Sequence, residues 1–87
     1  MPICEIVPQL FIGDIKGAED LNGLRLKGVT HVLQAMGGMD PVYPKDFTYK
    51  VVDVMDTPQE NLGRHFDSVV KWISAAVDKG GVVFVHW

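Results

Sequence analysis

Apolar positions come in short runs divided by glycine, proline and charged residues, and the spacing within the runs switches between alternation and the helical interval. Cys4–Val7 and Leu10–Gly13 read as two short strands parted by Pro8-Gln9, a natural turn. In Ala18–Lys27 the apolar positions Ala18, Leu21 and Leu24 share one helical face, and Gly28 follows as a stop. Gly23 inside that helix costs about 1 kcal/mol relative to alanine. Val29–Met36 is the next expected strand. Gly37–Thr48, GGMDPVYPKDFT, carries two glycines and two prolines and reads as a loop. Tyr49–Val54 is a further strand, which Met55 and Asp56 leave.

The second helix has the clearest signature. Thr57-Pro58-Gln59-Glu60 places a cap, a proline at the first helical position and a glutamate that completes a capping box. Asn61 or Leu62 serves equally well as the start, because Gly63 weakens the first turn. Leu62, Phe66, Val69, Val70, Ile73 and Val77 follow at intervals of three and four, one stripe expected to be buried. Gly80 ends the helix, and Val82–Val85 behind the Gly80-Gly81 pair reads as a buried strand. The order is β-β-α-β-β-α-β. Such alternation predicts an α/β fold, a sheet with parallel pairs and helices packed on it. Ligands in such sheets sit beyond the carboxyl ends of the strands. Two ends stand out, one presenting Asp56 and the other presenting His86-Trp87.

Composition narrows the function classes. The 87 residues allow one domain, with 47% hydrophobic and 22% charged residues. The net charge of −3 carries no basic surplus, so nucleic acid is not the expected partner. An anionic ligand stays open, because a cradle of backbone N–H groups binds phosphate on an acidic protein too. Cys4 is the single cysteine, so no internal disulfide forms and a reducing compartment is expected. No basic-then-apolar leader opens the chain, and no apolar run reaches the roughly 18 residues of a membrane span. The expected setting is soluble and cytoplasmic, with the nucleus also open to it, and no membrane partner.

Several segments together carry a family resemblance: EIVPQLFIGD at the start, LRLKGVTHVLQAM, FTYKVVDVMDTPQENLGRHF, the helix VVKWISAAV, and GGVVFVHW at the end. In this order and spacing the chain resembles the dual-specificity protein phosphatases, a branch of the cysteine-based protein tyrosine phosphatases. The likeness covers the first half to three-fifths of such a domain. In that family the last strand runs into His-Cys and a phosphate loop that ends in arginine. Here Val85-His86 is in place, Trp87 stands at the cysteine position, and the loop and arginine are absent.

The resemblance implies a division of labour. A thiolate attacks phosphorus, its pKa lowered by a helix N-terminus and nearby positive charge. Backbone N–H groups cradle the phosphate oxygens, an arginine grips two of them as a fork, and an aspartic acid protonates the leaving oxygen. Asp56 matches the position of that general acid. Taken without the resemblance, Asp56 is an acid near a helix N-terminus, beside Thr57, where the dipole favours it. Its neighbour Asp53 lies within the strand and suits a structural or surface role. His86 matches the residue before the nucleophile, whose ring organises the loop and lowers the thiol pKa. With no thiol to tune, it reads here as a histidine at a frayed end. Trp87 fits a natural substitution, a truncation or frame change, or an altered end. Its indole cannot attack phosphorus and is too large for the floor of a phosphate cradle.

Other chemistry-bearing residues have plainer readings. Cys4 lacks a loop pattern or arginine after it and reads as a small buried hydrophobe. His31 reads as a packed strand histidine and His65 as a half-exposed helical one, without metal-ligand spacing. Met36, Met39 and Met55 read as core filling or loop contacts. Lys45 and Lys50 read as solvated charges that also favour a phosphorylated partner. The family implies no metal or cofactor.

The expected protein is therefore one domain over residues 1–87, the N-terminal part of a dual-specificity-phosphatase-like mixed sheet with packed helices. Its parent activity is dephosphorylation of phosphotyrosine and phosphoserine/threonine in proteins, and this chain alone is expected to be inactive. The alternative is a pseudophosphatase that binds phosphoproteins or acts as a scaffold. An unrelated α/β domain sharing the pattern is a third reading. The last strand is expected in the middle of the sheet. If 87 residues are the whole, one sheet face is bare and invites self-association.

Overall fold

The computed structural model describes residues 3–7, 9–35, 40–52 and 62–86. Their elements are β1 (Ile3–Val7), β2 (Leu10–Gly13), α1 (Ile15–Ala18), α2 (Leu21–Leu26), β3 (His31–Gln34), β4 (Thr48–Val51), α3 (Leu62–Asp78) and β5 (Val83–His86). The strands form one sheet in the order β1-β2-β5-β3-β4. Only the β1–β2 pair is antiparallel; β2–β5, β5–β3 and β3–β4 are parallel. The last strand therefore lies at the centre, as expected, between the second and the third.

One face of the sheet holds the main core. Phe11, Val32 and Phe84 are register partners on neighbouring strands. They pack with Ala18 of α1, Leu24 of α2, Val29 and Phe47, while Leu21, Tyr43, Tyr49 and Val82 close the rim. Phe84 and Leu24 are fully buried. The opposite face packs on α3, where Ala76 is buried and Val83 and Leu33 are shielded from solvent.

The expected helix Ala18–Lys27 is observed as the shorter α2, Leu21–Leu26; its first expected residue, Ala18, ends a separate turn, α1, and the two are divided at Glu19-Asp20. Each has its own acidic cap: Gly17 N–H donates to Asp14 Oδ1 at 3.1 Å, and Gly23 N–H donates to Asp20 Oδ1 at 3.0 Å. Aspartate at such a position satisfies an N–H that has no helical partner. Gly23, costly in a continuous helix, is suited to this one, because a Cβ there would collide with the Asp20 carboxylate. The strands expected at Val29–Met36 and Tyr49–Val54 are observed at His31–Gln34 and Thr48–Val51. Residues 36–39 and the Thr57–Glu60 capping box lie outside the described residues.

Both expected glycine stops hold. Gly28 and Gly80 have φ of 74° and 81°, the left-handed region that glycine enters without strain. Behind Gly80, Gly81 N–H donates to Ala76 O at 2.8 Å and Gly80 N–H to Val77 O at 2.9 Å, the paired bonds of a Schellman stop. Gln9 reinforces this corner, its Nε2 donating to Gly81 O at 3.0 Å.

The α3 stripe departs from expectation. Phe66 is 70% exposed and Val70 46%, and Val69, Ile73 and Val77 are half-buried. Ala76 is the buried one among the described α3 side chains. The periodicity is present, but among the described side chains full burial is reached only at Ala76, and Trp72 sets its ring edge-on to His31 at 5.4 Å. No described helix is long and apolar enough to cross a membrane.

Candidate active site at the carboxyl end of the sheet

Three parallel pairings align the carboxyl ends of four strands. Gly13, His86, Gln34 and Val51 are successive register partners across β2, β5, β3 and β4. Backbone bonds continue past this row, with Ala35 N–H donating to His86 O at 2.9 Å and Val52 N–H to Gln34 O at 2.8 Å. Parallel pairing brings these ends together because each crossover returns the chain to the same edge of the sheet.

His86 is not a frayed end. It is fully buried, it closes the central strand, and its ring stacks on Phe84 with centroids 5.9 Å apart and planes 20° apart. Strand alternation puts both rings on the core face, under α1. Burial lowers the imidazole pKa from its ordinary value, because the charged form loses its hydration. Neither ring nitrogen has a hydrogen-bond partner among the described residues.

Gln34 escaped the sequence reading. It is fully buried beside His86, on the same face of the neighbouring strand. The available signal was a glutamine inside the apolar run VTHVLQAM, since a buried carboxamide persists only with polar company. Gly13 completes the row on the other side, adding no side chain next to the imidazole.

A second polar group holds the loop before β4 against α1 and α2. The Tyr43 hydroxyl donates to Glu19 O at 2.6 Å, and Tyr43 N–H donates to the Tyr49 hydroxyl at 3.0 Å. Tyr43 also sets its ring edge-on to Phe47. Burial is the main reason the Tyr49 hydroxyl titrates above its usual value. Arg25 and Asp46 form an ion pair at 2.6 Å. Of the two lysines, Lys45 is exposed on this loop and Lys50 is half-buried on β4.

Asp53, Asp56, Met36, Met39, Met55 and Trp87 lie outside the described residues, as do the side chains of Cys4 and His65. His31 is half-buried, and its Nδ1 lies 2.6 Å from the Thr30 hydroxyl. Among the described residues, no group of three or more His, Cys, Asp or Glu side chains is placed to hold a metal ion.

No family model matches the sequence. Individual relatives do. Dual specificity protein phosphatase 1B of Arabidopsis thaliana is 38% identical over 84 residues, covering 97% of this chain and 50% of the relative. Dual specificity protein phosphatase 19 of Mus musculus is 37% identical over 81 residues, covering 93% of this chain and 37% of the relative. The chain thus spans about half or less of the length of these relatives. Among solved structures, DUSP15 superposes with a TM-score of 0.85 at 28% identity, over 98% of this chain and 54% of that one. The human tyrosine phosphatase-like serine/threonine/tyrosine-interacting protein gives a TM-score of 0.82 at 32% identity, over 98% of this chain and 61% of that one. By sequence and by fold, the chain belongs to the dual-specificity protein phosphatases.

Proposed function

We propose that this chain is the N-terminal part of a single dual-specificity phosphatase domain whose parent reaction removes phosphate from phosphotyrosine and phosphoserine/threonine in proteins. The observation that carries the reading is His86, buried at the end of the central strand, the place from which the family's phosphate loop departs. In this reading Asp56 is the general acid, His86 precedes the nucleophile position, and Trp87 occupies that position without reacting. The chain alone has neither the thiolate nor the arginine fork, so it is inactive, and its partner is a phosphorylated protein.

The test is turnover of an aryl phosphate by the 87-residue protein, with its intact mass measured on the same sample. We expect hydrolysis at the level of buffer for a mass near 9.6 kDa. Vanadate-sensitive turnover at that mass would overturn the assigned inactivity.

A second reading, a pseudophosphatase that binds phosphoproteins, is favoured by Trp87 and by the likeness to a phosphatase-like interacting protein. Calorimetric titration with matched phosphorylated and unphosphorylated peptides separates the two readings. Binding of the phosphorylated peptide alone, without hydrolysis, favours the binding module.

The cytoplasm or nucleus is the location this reading carries, on the strength of a single cysteine and an ordinary acidic composition. Self-association of the isolated chain belongs to the same reading, since apolar surface on α3 gains from contact with a second copy.

A further inference from the structure

The amino end of the sheet, opposite the candidate site, holds a polar junction centred on Thr30. Thr30 leads into β3, and its hydroxyl meets three groups. Val82 N–H donates to Oγ1 at 3.0 Å, His31 Nδ1 lies 2.6 Å from it, and Val82 O lies 3.2 Å from it. An amide only donates, so the Val82 N–H bond has a fixed direction. A hydroxyl carries one proton, and that proton has two acceptors in reach, Nδ1 and Val82 O.

Val82 O is already engaged. Thr30 N–H donates to it at 2.9 Å and His31 N–H at 3.1 Å, which takes up the two lone pairs of a carbonyl. Nδ1 is nearer and offers a lone pair in the neutral ring. The hydroxyl proton therefore goes to Nδ1, and the neutral ring carries its hydrogen on Nε2. The surroundings hold this geometry. Trp72 of α3 sets its ring edge-on to His31. Gly81, behind the end of α3, lies so close that a Cβ there would come within 2.8 Å of Oγ1 and 3.2 Å of Nδ1. The charged groups on the packed elements are Lys50 on β4, half-buried, and Lys71, Asp78 and Lys79 on α3 and just after it, exposed. Among the described residues none of them bonds the imidazole, and the start of β5 brings only Val82 and Val83.

Histidine changes charge between about pH 5 and pH 8. When Nδ1 takes a proton from water it becomes a donor, and Oγ1 beside it accepts. Thr30 keeps its own proton, whose remaining acceptor in reach is Val82 O. That carbonyl then receives three donors on two lone pairs, so its bonds to the two backbone N–H groups weaken.

We propose that Thr30 is a proton-directed toggle: its hydroxyl donates to the neutral His31 ring, and when that ring takes up a proton the hydroxyl accepts from it and turns onto Val82 O, loosening the start of the β3–β5 pairing. The device does not rest on the function proposed above.

The test is proton–nitrogen NMR of the 87-residue protein, following the His31 ring and the Thr30 and His31 amide protons from about pH 8 to about pH 5. At the upper end the ring should be the Nε2–H tautomer. As it titrates, both amide protons should move upfield, the sign of a weakened hydrogen bond, along the same curve as the ring. Thr30→Val removes the hydroxyl and leaves the imidazole, so the ring should still titrate while the amide response is lost. Thr30→Ser should retain the response. A wild-type ring with its hydrogen on Nδ1 at the upper end would overturn the proposal, and so would amide protons that stay still while the ring titrates. An unchanged response in a folded Thr30→Val protein would assign it to the new charge alone and overturn the toggle. If Thr30→Val fails to fold, the scalar coupling across the bond from Thr30 N–H to Val82 O decides: it should shrink as the ring takes its proton, and a constant coupling would overturn the proposal.

Discussion

The two faces of the sheet are built from the same strands but completed to different degrees. On the α1/α2 face, Phe11, Val32 and Phe84 are at most 7% exposed, and the covering residues come from two capped helical turns and a pinned loop. On the α3 face, Val83 and Leu33 are buried, yet the longest helix leaves Phe66 and Val70 in solvent. The first face is stabilised by what the described chain contains. The second carries apolar surface that nothing among the described residues covers. Helical periodicity specifies which side of α3 is apolar; burial depends on what lies opposite.

The comparison breaks first at Phe84. Phe84→Ala should cost about 3–5 kcal/mol, since the fully buried ring leaves a cavity between the strands and α1. Total stability of a domain is about 5–15 kcal/mol. Urea denaturation should therefore show a large fall in midpoint or no cooperative transition. Val70→Ala, on the other face, should change stability by about 0.5 kcal/mol or less, as exposed positions do. Comparable losses for the two substitutions would mean that α3 is covered in solution.

Association offers the next contrast. The isolated chain should sediment with increasing mass as concentration rises, and Phe66→Lys with Val70→Lys should return it to the monomer. Replacing Leu26, 87% exposed on α2, by lysine should leave association unchanged. A monomer at every concentration in the parent protein would show that the exposed stripe does not drive contact between copies.

His86 adds a pH dependence to the completed face. Its folded pKa is lowered by burial, so below the unfolded value of about 6.5 the unfolded chain binds a proton that the native chain resists. The full contribution is present above that pH. It is lost as pH falls from there through the depressed folded value, with a slope of at most about 1.4 kcal/mol per pH unit. Denaturation series between pH 7.5 and pH 5, chosen to cross about 6.5, should show the slope, and His86→Leu should flatten it. An unchanged slope in His86→Leu would assign the effect to other groups.

Strands and both glycine stops were legible because each rests on local chemistry, short apolar runs or a left-handed glycine, whereas the centrality of β5 was expected only through the family resemblance. The split between α1 and α2 was not, although its signal was present. Asp20 with Gly23 three residues later is a cap and its recipient, and the apolar spacing of Ala18, Leu21 and Leu24 concealed it by continuing across the break. The candidate site was half legible. His86 was placed by family position, but its burial depends on Phe84 of its own strand and on Gly13 and Gln34, which the two parallel pairings of β5 bring beside it. Gln34 was overlooked for the same reason, because its buried place is set by pairing with a strand whose partner residue lies 52 positions away in the chain.

The smallest expected effects concern the polar contacts that hold the loop to the completed face. Arg25 and Asp46 meet at 2.6 Å, but their side chains are 59% and 31% exposed, so solvent screens the pair. Arg25→Ala should cost about 0.5 kcal/mol or less, falling further in high salt. The Tyr43 hydroxyl binds Glu19 O, a neutral bond whose loss in Tyr43→Phe should cost about 1 kcal/mol and should not respond to salt. Measuring both variants at low and high salt separates the contributions. If Arg25→Ala were the costlier change, the loop would be held by charge, and the face that looks complete would depend on ionic strength. The expected order, tyrosine above arginine, makes the loop an extension of the core through Tyr43 and Phe47, with the ion pair as a weak outer contact.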